Sequence, residues 1–293
     1  MHKFVIQYCA IALVLLSLPA VSYSQSSYKI EIGAELSKEN QNTSDNKNTL
    51  LSAQIFFDEV TIGSHPYAEA AFLEQTSSIG IGYSNFDITS NAFDFSGDQI
   101  IFGVDYVLPD SLIILQGGIT SADGDYKNGL KGGFDADGIF IGIGKYITEN
   151  SAITIRYLQL DGDANFVPSI KITSKLTEIG VDYKIVEELR DGAAFKFEAS
   201  FTSSDMDMDT TSETNTIIEF SGDYYQNQSI SIGASLEINS GDDKGSEGKT
   251  FGLNLGMFLT PVFAIAVEFN QFMADNTSVD DSDEVVLVGA VRF

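Results

Sequence analysis

Residues 229–238 read Ser-Ile-Ser-Ile-Gly-Ala-Ser-Leu-Glu-Ile, with an apolar residue at every even position and a small or polar residue at every odd one. Only an extended strand separates two faces in this way, because its side chains alternate while those of a helix repeat every 3.6 residues or so. The same alternation recurs at 28–36, 193–202, 250–258 and 262–270, without a convincing amphipathic helix between them. The chain is therefore expected to be all-β.

About fourteen segments of this kind are predicted, within a range of twelve to sixteen. They lie at 28–37, 49–58, 77–88, 98–108, 111–120, 135–147, 151–160, 169–186, 193–203, 214–226, 228–239, 249–259, 262–273 and 284–293. An even count and this length suit tilted strands that cross a bilayer, so the sequence predicts a transmembrane, antiparallel, up-and-down β-barrel. A soluble β-sandwich has the same alternation and is the competing fold.

The connections and the aromatic residues give two further signals for a barrel. Short links at 109–110, 149–150, 227 and 260–261 alternate with polar links that are expected to be long loops, at 38–48, 121–134, 161–168, 204–213, 240–248 and 274–283. Outer-membrane barrels alternate short periplasmic turns with long external loops. Aromatic residues that end strands running toward the short links predict a membrane-interface belt: Phe57, Tyr106, Tyr146, Tyr183, Tyr224, Phe258 and Phe293. Parity, however, turns Tyr146 and Phe258 inward, so either a β-bulge or a shift in the predicted register is expected there.

The amino end has the pattern of a secretory signal peptide. Lys3 precedes an apolar run at 9–21, and small residues stand before an expected cleavage after Ser24. Residues 1–24 are thus predicted to be the signal peptide and residues 25–293 a single barrel domain in the outer membrane of a Gram-negative cell. Cleavage would also remove Cys9, the only cysteine, so no disulfide is expected.

The chain is strongly acidic, with 42 acidic and 16 basic residues and a formal net charge of −26. This negative charge repels the phosphates of nucleic acid, so nucleic acid is not an expected partner. The same charge favours cations. Charged residues on the polar face of the strands predict a hydrated lumen, since a dry core would make them very costly. The residues predicted to line this pore are Glu31, Glu35, Asp105, Arg156, Glu178, Asp182, Lys196, Glu198, Glu219, Glu237 and Glu268.

Two acidic runs in the expected long loops predict a negative outer mouth that would favour the entry of cations. The mouth residues are Asp205, Asp207, Asp209, Asp280, Asp281 and Asp283. The alternative is that these loops are only solubilising. A calcium loop is not expected at 205–216, because Thr210 and Thr216 replace the glycine and the acidic residue that such a loop needs. No metal or cofactor is therefore predicted.

Enzymatic activity is not expected. The chain after the signal peptide keeps one histidine, His65, and has no cysteine. A nucleophile elbow, a metal-spaced histidine pair and a phosphate-cradling glycine loop are all missing from the sequence. His65 lies in the connection between the second and third strands and is interpreted as a turn residue.

The connection at 59–76 breaks the rhythm of short links. It contains Pro66 and the run Ala-Glu-Ala-Ala-Phe-Leu at 68–73, and it leads into a Ser-rich strand entry at 77–78. These residues resemble the early region of the general bacterial porin family, although His65 stands where that family usually has Gly. The resemblance implies an outer-membrane barrel with passive diffusion. The segment itself is expected to be a short periplasmic helix, a flap folded toward the pore or a long turn.

The last strand ends on Phe293 at the carboxyl terminus. This resembles the signal that the barrel-assembly machinery recognises, and that machinery and outer-membrane lipid are the expected partners. The sequence thus predicts a porin for passive diffusion of small hydrophilic solutes or ions, with a preference for cations. The alternative is a non-conducting barrel with a structural or adhesion role through its acidic loops. The sequence leaves the oligomeric state open. A homotrimer is one alternative, although no strand shows an obvious interface.

Overall fold

The computed structural model describes residues 27–41, 44–90, 94–126, 132–166, 170–189, 192–209, 211–241, 247–275 and 281–293. Within these residues, fourteen antiparallel strands form one sheet that closes on itself, each strand pairing with its neighbours in sequence. The strands are β1 (Ser27–Gln41), β2 (Ser44–Thr61), β3 (Ser78–Ser90), β4 (Asp94–Val107), β5 (Ile113–Tyr126), β6 (Gly132–Thr148), β7 (Ser151–Phe166), β8 (Ile170–Glu188), β9 (Ala194–Met208), β10 (Thr211–Asn227), β11 (Ile230–Gly241), β12 (Gly248–Thr260), β13 (Phe263–Ala274) and β14 (Ser282–Arg292). The predicted all-β, fourteen-stranded barrel is confirmed.

The seam between the first and last strands completes the barrel. β1 and β14 pair from Glu31 opposite Arg292 to Gln41 opposite Ser282. The main chain of Phe293 extends the seam, because its N–H donates to the Ile30 carbonyl at 2.9 Å and its carbonyl accepts from Lys29 N–H at 2.6 Å. Closure leaves the sheet without an unpaired edge.

The outer surface of the barrel is apolar. Large side chains there are half exposed, for example Ile119 at 60%, Ile141 at 59% and Leu253 at 64%. A sandwich would bury this face between two sheets, so the competing fold is wrong. In a closed barrel every backbone group of the wall is paired, and an apolar exterior is then compatible with lipid.

The two ends of the barrel differ. The end that carries both described termini, here called the turn end, has compact connections at 108–112, 149–150, 228–229 and 261–262, plus the long segment at 62–77. At the opposite loop end the strands run further than the sequence predicts. β1 continues to Gln41 and β2 starts at Ser44, so most of the expected loop at 38–48 is strand. The expected loops at 121–134, 161–168, 204–213, 240–248 and 274–283 are also shortened by extended strands. Polar hairpins can continue in water because their ladder of backbone hydrogen bonds needs no apolar face.

No helix in the described ranges is long and apolar enough to cross a membrane. The predicted signal peptide lies outside the described residues.

Candidate functional site: the barrel lumen and its plug

The eleven predicted pore residues all lie on the inner face of their strands. Ten of them border cavities inside the barrel, and Glu35 shares the inward parity of Glu31 on β1. Alternation places them there because their neighbours in sequence carry the apolar outer surface, as Ile179 does beside Glu178. The structure thus brings these charges together around one lumen. Their contribution to conduction stays a prediction.

The lumen contains a cavity of about 730 Å³, which Asp105, Glu178, Glu198, Glu219 and Glu237 border. Glu219 lies directly opposite Glu237 on the neighbouring strand, an arrangement of like charges that costs stability. Within the described part of the chain, neither Glu219 nor Glu237 has a Lys or Arg side chain within ion-pair distance.

Arg156 and Lys184 are the basic residues that border this cavity, and Asp182 neutralises Arg156. Arg156 donates from Nε to Asp182 Oδ2 at 2.6 Å and from a terminal nitrogen to Oδ1 at 2.8 Å. This two-point geometry is the strong form of an arginine–carboxylate pair. Lys184 pairs with Glu69 and Glu198, so Asp105, Glu178, Glu219 and Glu237 give the lining of this cavity an excess of negative charge.

Residues 62–77, here called the plug, fold into the turn end of the barrel. A 3₁₀ turn at Tyr67–Glu69 runs into the single-turn helix α1 (Ala70–Leu73). The alanine-rich run favours a helix, and Pro66 begins it with a fixed φ of −54°. Ala70 is fully buried in a cluster with Tyr28, Phe56, Val60 and Ile62. Of the three expectations, the flap folded toward the pore matches the structure best, and the flap contains a short helix.

Glu69 ties the plug to the barrel wall. Its carboxylate is 4% exposed and accepts a hydrogen bond from Tyr225 Oη on β10 at 2.6 Å. Lys184 Nζ on β8 lies 2.7 Å from the second carboxylate oxygen, and Lys196 Nζ on β9 lies 4.0 Å from the first. A carboxylate this deeply buried is tolerated only because cations and a hydroxyl pair with it.

Aromatic contacts hold the plug on other sides. The Tyr146 hydroxyl on β6 donates to the Phe72 carbonyl at 3.0 Å, and the two rings lie 5.3 Å apart. Tyr67 meets Phe258 of β12 edge-to-face at 5.4 Å. Tyr146 and Phe258 are the two aromatics that parity turned inward, and both do face inward, where they contact the plug rather than lipid. Inward parity at these two positions is the sequence signal from which a plug could have been inferred.

Arg292 joins the plug to the seam of the barrel. It is 5% exposed and lies 2.5 Å from Glu31 across β1 and β14, and it also donates to the Tyr67 carbonyl at 2.5 Å. Its guanidinium stacks over Tyr28 at 4.4 Å and Phe258 at 4.7 Å. Plug residues thus contact the wall from β1 and β2 around to β14, so the segment spans the turn end of the lumen.

His65 lies at the rim of the plug. Its Nδ1 is 2.6 Å from Glu188 and its Nε2 is 3.3 Å from Glu74. Both partners are carboxylates, and the plug and the end of β8 are linked through this ring. The arrangement agrees with the turn-residue interpretation.

Four of the six residues that were predicted to form an acidic mouth lie on the outer surface of the barrel. Asp205 and Asp207 belong to β9, not to a loop, and Asp209 follows it directly. By alternation they share the outer face with Phe201, which is 45% exposed. Asp283 likewise shares the outer face of β14 with Val285. These four therefore stand outside the barrel wall, because the extended strands carry their parity beyond the apolar belt.

The remaining mouth residues differ from these four. Asp281 Oδ1 accepts a hydrogen bond from Ala274 N–H at 3.1 Å, which closes the base of the last hairpin, whereas Asp280 lies outside the described residues. Hydrogen bonds from the side chain and backbone of Thr173 lower the pKa of Asp209 below its usual value. Among the described residues, no group of three or more His, Cys, Asp or Glu side chains is arranged to hold a metal ion.

Comparison with solved structures gives neighbours of the same architecture. The outer membrane protein Omp33 of Acinetobacter baumannii superposes with a TM-score of 0.57 and 17% identity, over 92% of this chain and 99% of that one. The monoaromatic hydrocarbon channel CymD gives 0.54 and 10%, over 94% and 95%. The toluene transporter TbuX of Ralstonia pickettii gives 0.53 and 9%, over 96% and 93%.

No protein-family model matches the chain, and no curated protein sequence matches it. At these identities the structural neighbours establish the fold and nothing finer. The chain therefore has the closed-barrel architecture of Gram-negative outer-membrane proteins.

Proposed function

We propose that the protein is an outer-membrane channel for passive diffusion of small hydrophilic solutes, with its turn end in the periplasm. The observation that carries the proposal is the pairing of an apolar exterior with a charged, cavity-containing interior in a closed barrel. Charged side chains on an inner wall are stable only in contact with water or counterions. The resemblance of residues 64–78 to the general bacterial porin family supports the same function.

The channel is proposed to prefer cations, and the lumen rather than the mouth is the proposed source of selectivity. Glu219, Glu237 and Glu268 face the lumen and border its cavities. A confined space with carboxylates of one sign raises the local concentration of cations. Asp205, Asp207 and Asp209 contribute less, because they lie on the outer surface.

A planar-bilayer measurement on the refolded protein tests the channel. In a tenfold KCl gradient, we expect steady current steps and a reversal potential whose sign shows that K⁺ permeates more readily than Cl⁻. Heat-modifiable migration in gels provides the control that the barrel has folded. If the folded barrel carries no current even at high voltage, and the same holds for a variant without the plug, the proposal is wrong.

The plug also favours a second candidate, a barrel that does not conduct and serves a structural or adhesion role. Buried Glu69 and Arg292 hold the segment across the turn end. In that case both the natural protein and the variant without the plug would be silent, whereas a plugged channel would become active when the plug is removed.

A further inference from the structure

Apart from β2, the inner surface of the barrel divides into two unlike walls. The inner faces of β3–β7, here called the aromatic wall, carry a ring cluster near the loop end. Phe95 lies at its centre, with ring centroids at 5.6 Å from Phe86, 4.6 Å from Tyr126 and 5.1 Å from Phe134. All four side chains have inward parity, since Ile81, Ile100, Ile119 and Ile139 mark the outer faces of the same strands.

Glycines let these rings lie flat against the wall. A Cβ atom at Gly97 would fall 2.6 Å from Phe86 Cζ, and one at Gly124 would fall 2.6 Å from Phe134 Cε1. The ring of Phe140 covers Gly118 in the same manner. Rings that cover the backbone in this way stay close to the wall, and Phe86, Phe134 and Phe140 remain partly exposed. On β6 the inward rings Phe134, Phe140 and Tyr146 lead from the loop end toward Phe72 of the plug.

The opposite side, formed by the inner faces of β8–β14 and β1, is here called the acidic wall. Its inward carboxylates are spread over many strands: Glu178, Asp182, Glu198, Glu219, Glu237, Glu268, Glu284, Glu35 and Glu39. Its basic residues Lys184, Lys196 and Arg292 are already ion-paired near the plug. On the described aromatic wall, by contrast, the inward charges are only Asp105 and Arg156, and Arg156 already pairs with Asp182 of the acidic wall.

We propose that the lumen selects amphipathic organic cations, in which one ammonium group is joined to an aryl or alkyl body. This inference rests on the proposed channel. Such a solute would place its ammonium toward the acidic wall and its body on the partly exposed rings. Apolar area on the rings leaves water on contact, and the ring faces carry negative charge density that tolerates a nearby cation. A hydrophilic cation uses one wall only, and an organic anion is repelled by the other.

Phenethylammonium chloride is the probe, with ethylammonium chloride and sodium phenylacetate as matched compounds that lack the ring or reverse the charge. Calorimetric titration of the folded protein in detergent measures binding without any need for conduction. In the bilayer, each probe is added to a sodium chloride solution and the reduction of the sodium current is measured. Removal of one phenyl ring from water stabilises binding enough that phenethylammonium should bind about tenfold more tightly than either matched compound.

Ring variants locate the site. Phe95→Ala with Phe134→Ala should weaken phenethylammonium binding about threefold and leave ethylammonium unchanged. Phe95→Leu with Phe134→Leu keeps the apolar volume in case the alanine pair fails to fold, and it should weaken the aromatic probe less. Phe201→Ala is the control, because this ring is 45% exposed on the outer surface.

The outcomes separate this inference from the proposed channel. Equal binding of phenethylammonium and ethylammonium, or ring variants that change nothing, would overturn the selection of amphipathic cations while a sodium current still supported a channel. Selective binding without any sodium current, in the natural protein or without the plug, would overturn the channel and leave the lumen site standing.

Discussion

The side chain of Arg292 makes three kinds of structural contact. It pairs with Glu31 across the seam, donates to the Tyr67 carbonyl of the plug, and stacks between Tyr28 and Phe258. Arg292→Met should therefore lower the free energy of unfolding by about 2 kcal/mol, a value reduced from that of a fully buried pair because Glu31 is 27% exposed. Urea unfolding in detergent measures this change. Arg292→Lys should recover little, because lysine lacks the planar fork. Glu31→Gln is the matched control for the seam alone, and an unchanged midpoint in Arg292→Met would contradict the assignment.

At the scale of elements, the plug is a separable part of the barrel. Replacing residues 64–75 by a short Gly-Ser link removes Glu69, Phe72 and Tyr67 from the turn end but leaves every strand pair intact. The proposed channel should then show a unit conductance raised about twofold or more, since the open cross-section limits ion flow. Single-channel recording measures it. Glu69→Gln keeps the segment and the Tyr225 contact but removes the charge that Lys184 neutralises, so it should raise the frequency of opening and not the unit conductance. A deletion that leaves conductance and opening unchanged would show that the plug does not obstruct the path.

The elements also show how far sequence alone reaches. All fourteen strands were predictable, because a lipid-facing strand must alternate and a proline-free run of such residues has no other stable form in a membrane. The ends of strands such as β9 were not predictable, because polar residues beyond the apolar belt are equally compatible with a hairpin and with a loop. For the site, parity in the sequence placed Glu219 and the other predicted pore residues on the inner face of their strands. The contacts of Glu69 with Tyr225 and Lys184 join residues more than a hundred positions apart, and only the closed barrel brings them together.

For the whole molecule, the question is whether cation preference follows from the net charge of −26 or from where the charges stand. Two triple variants remove the same charge from opposite faces of the wall. Glu219→Gln, Glu237→Gln and Glu268→Gln act on the lumen, whereas Asp205→Asn, Asp207→Asn and Asp209→Asn act on the outer surface. At 0.1 M salt the field of an exposed charge is screened within about 10 Å, while charges inside a confined lumen are screened less. The lumen triple should therefore lower the K⁺/Cl⁻ permeability ratio about threefold or more, and the outer triple should leave it nearly unchanged. Reversal potentials in a KCl gradient give both ratios. Equal losses in the two variants would mean that the field of the whole barrel, and not the lumen wall, selects the ion.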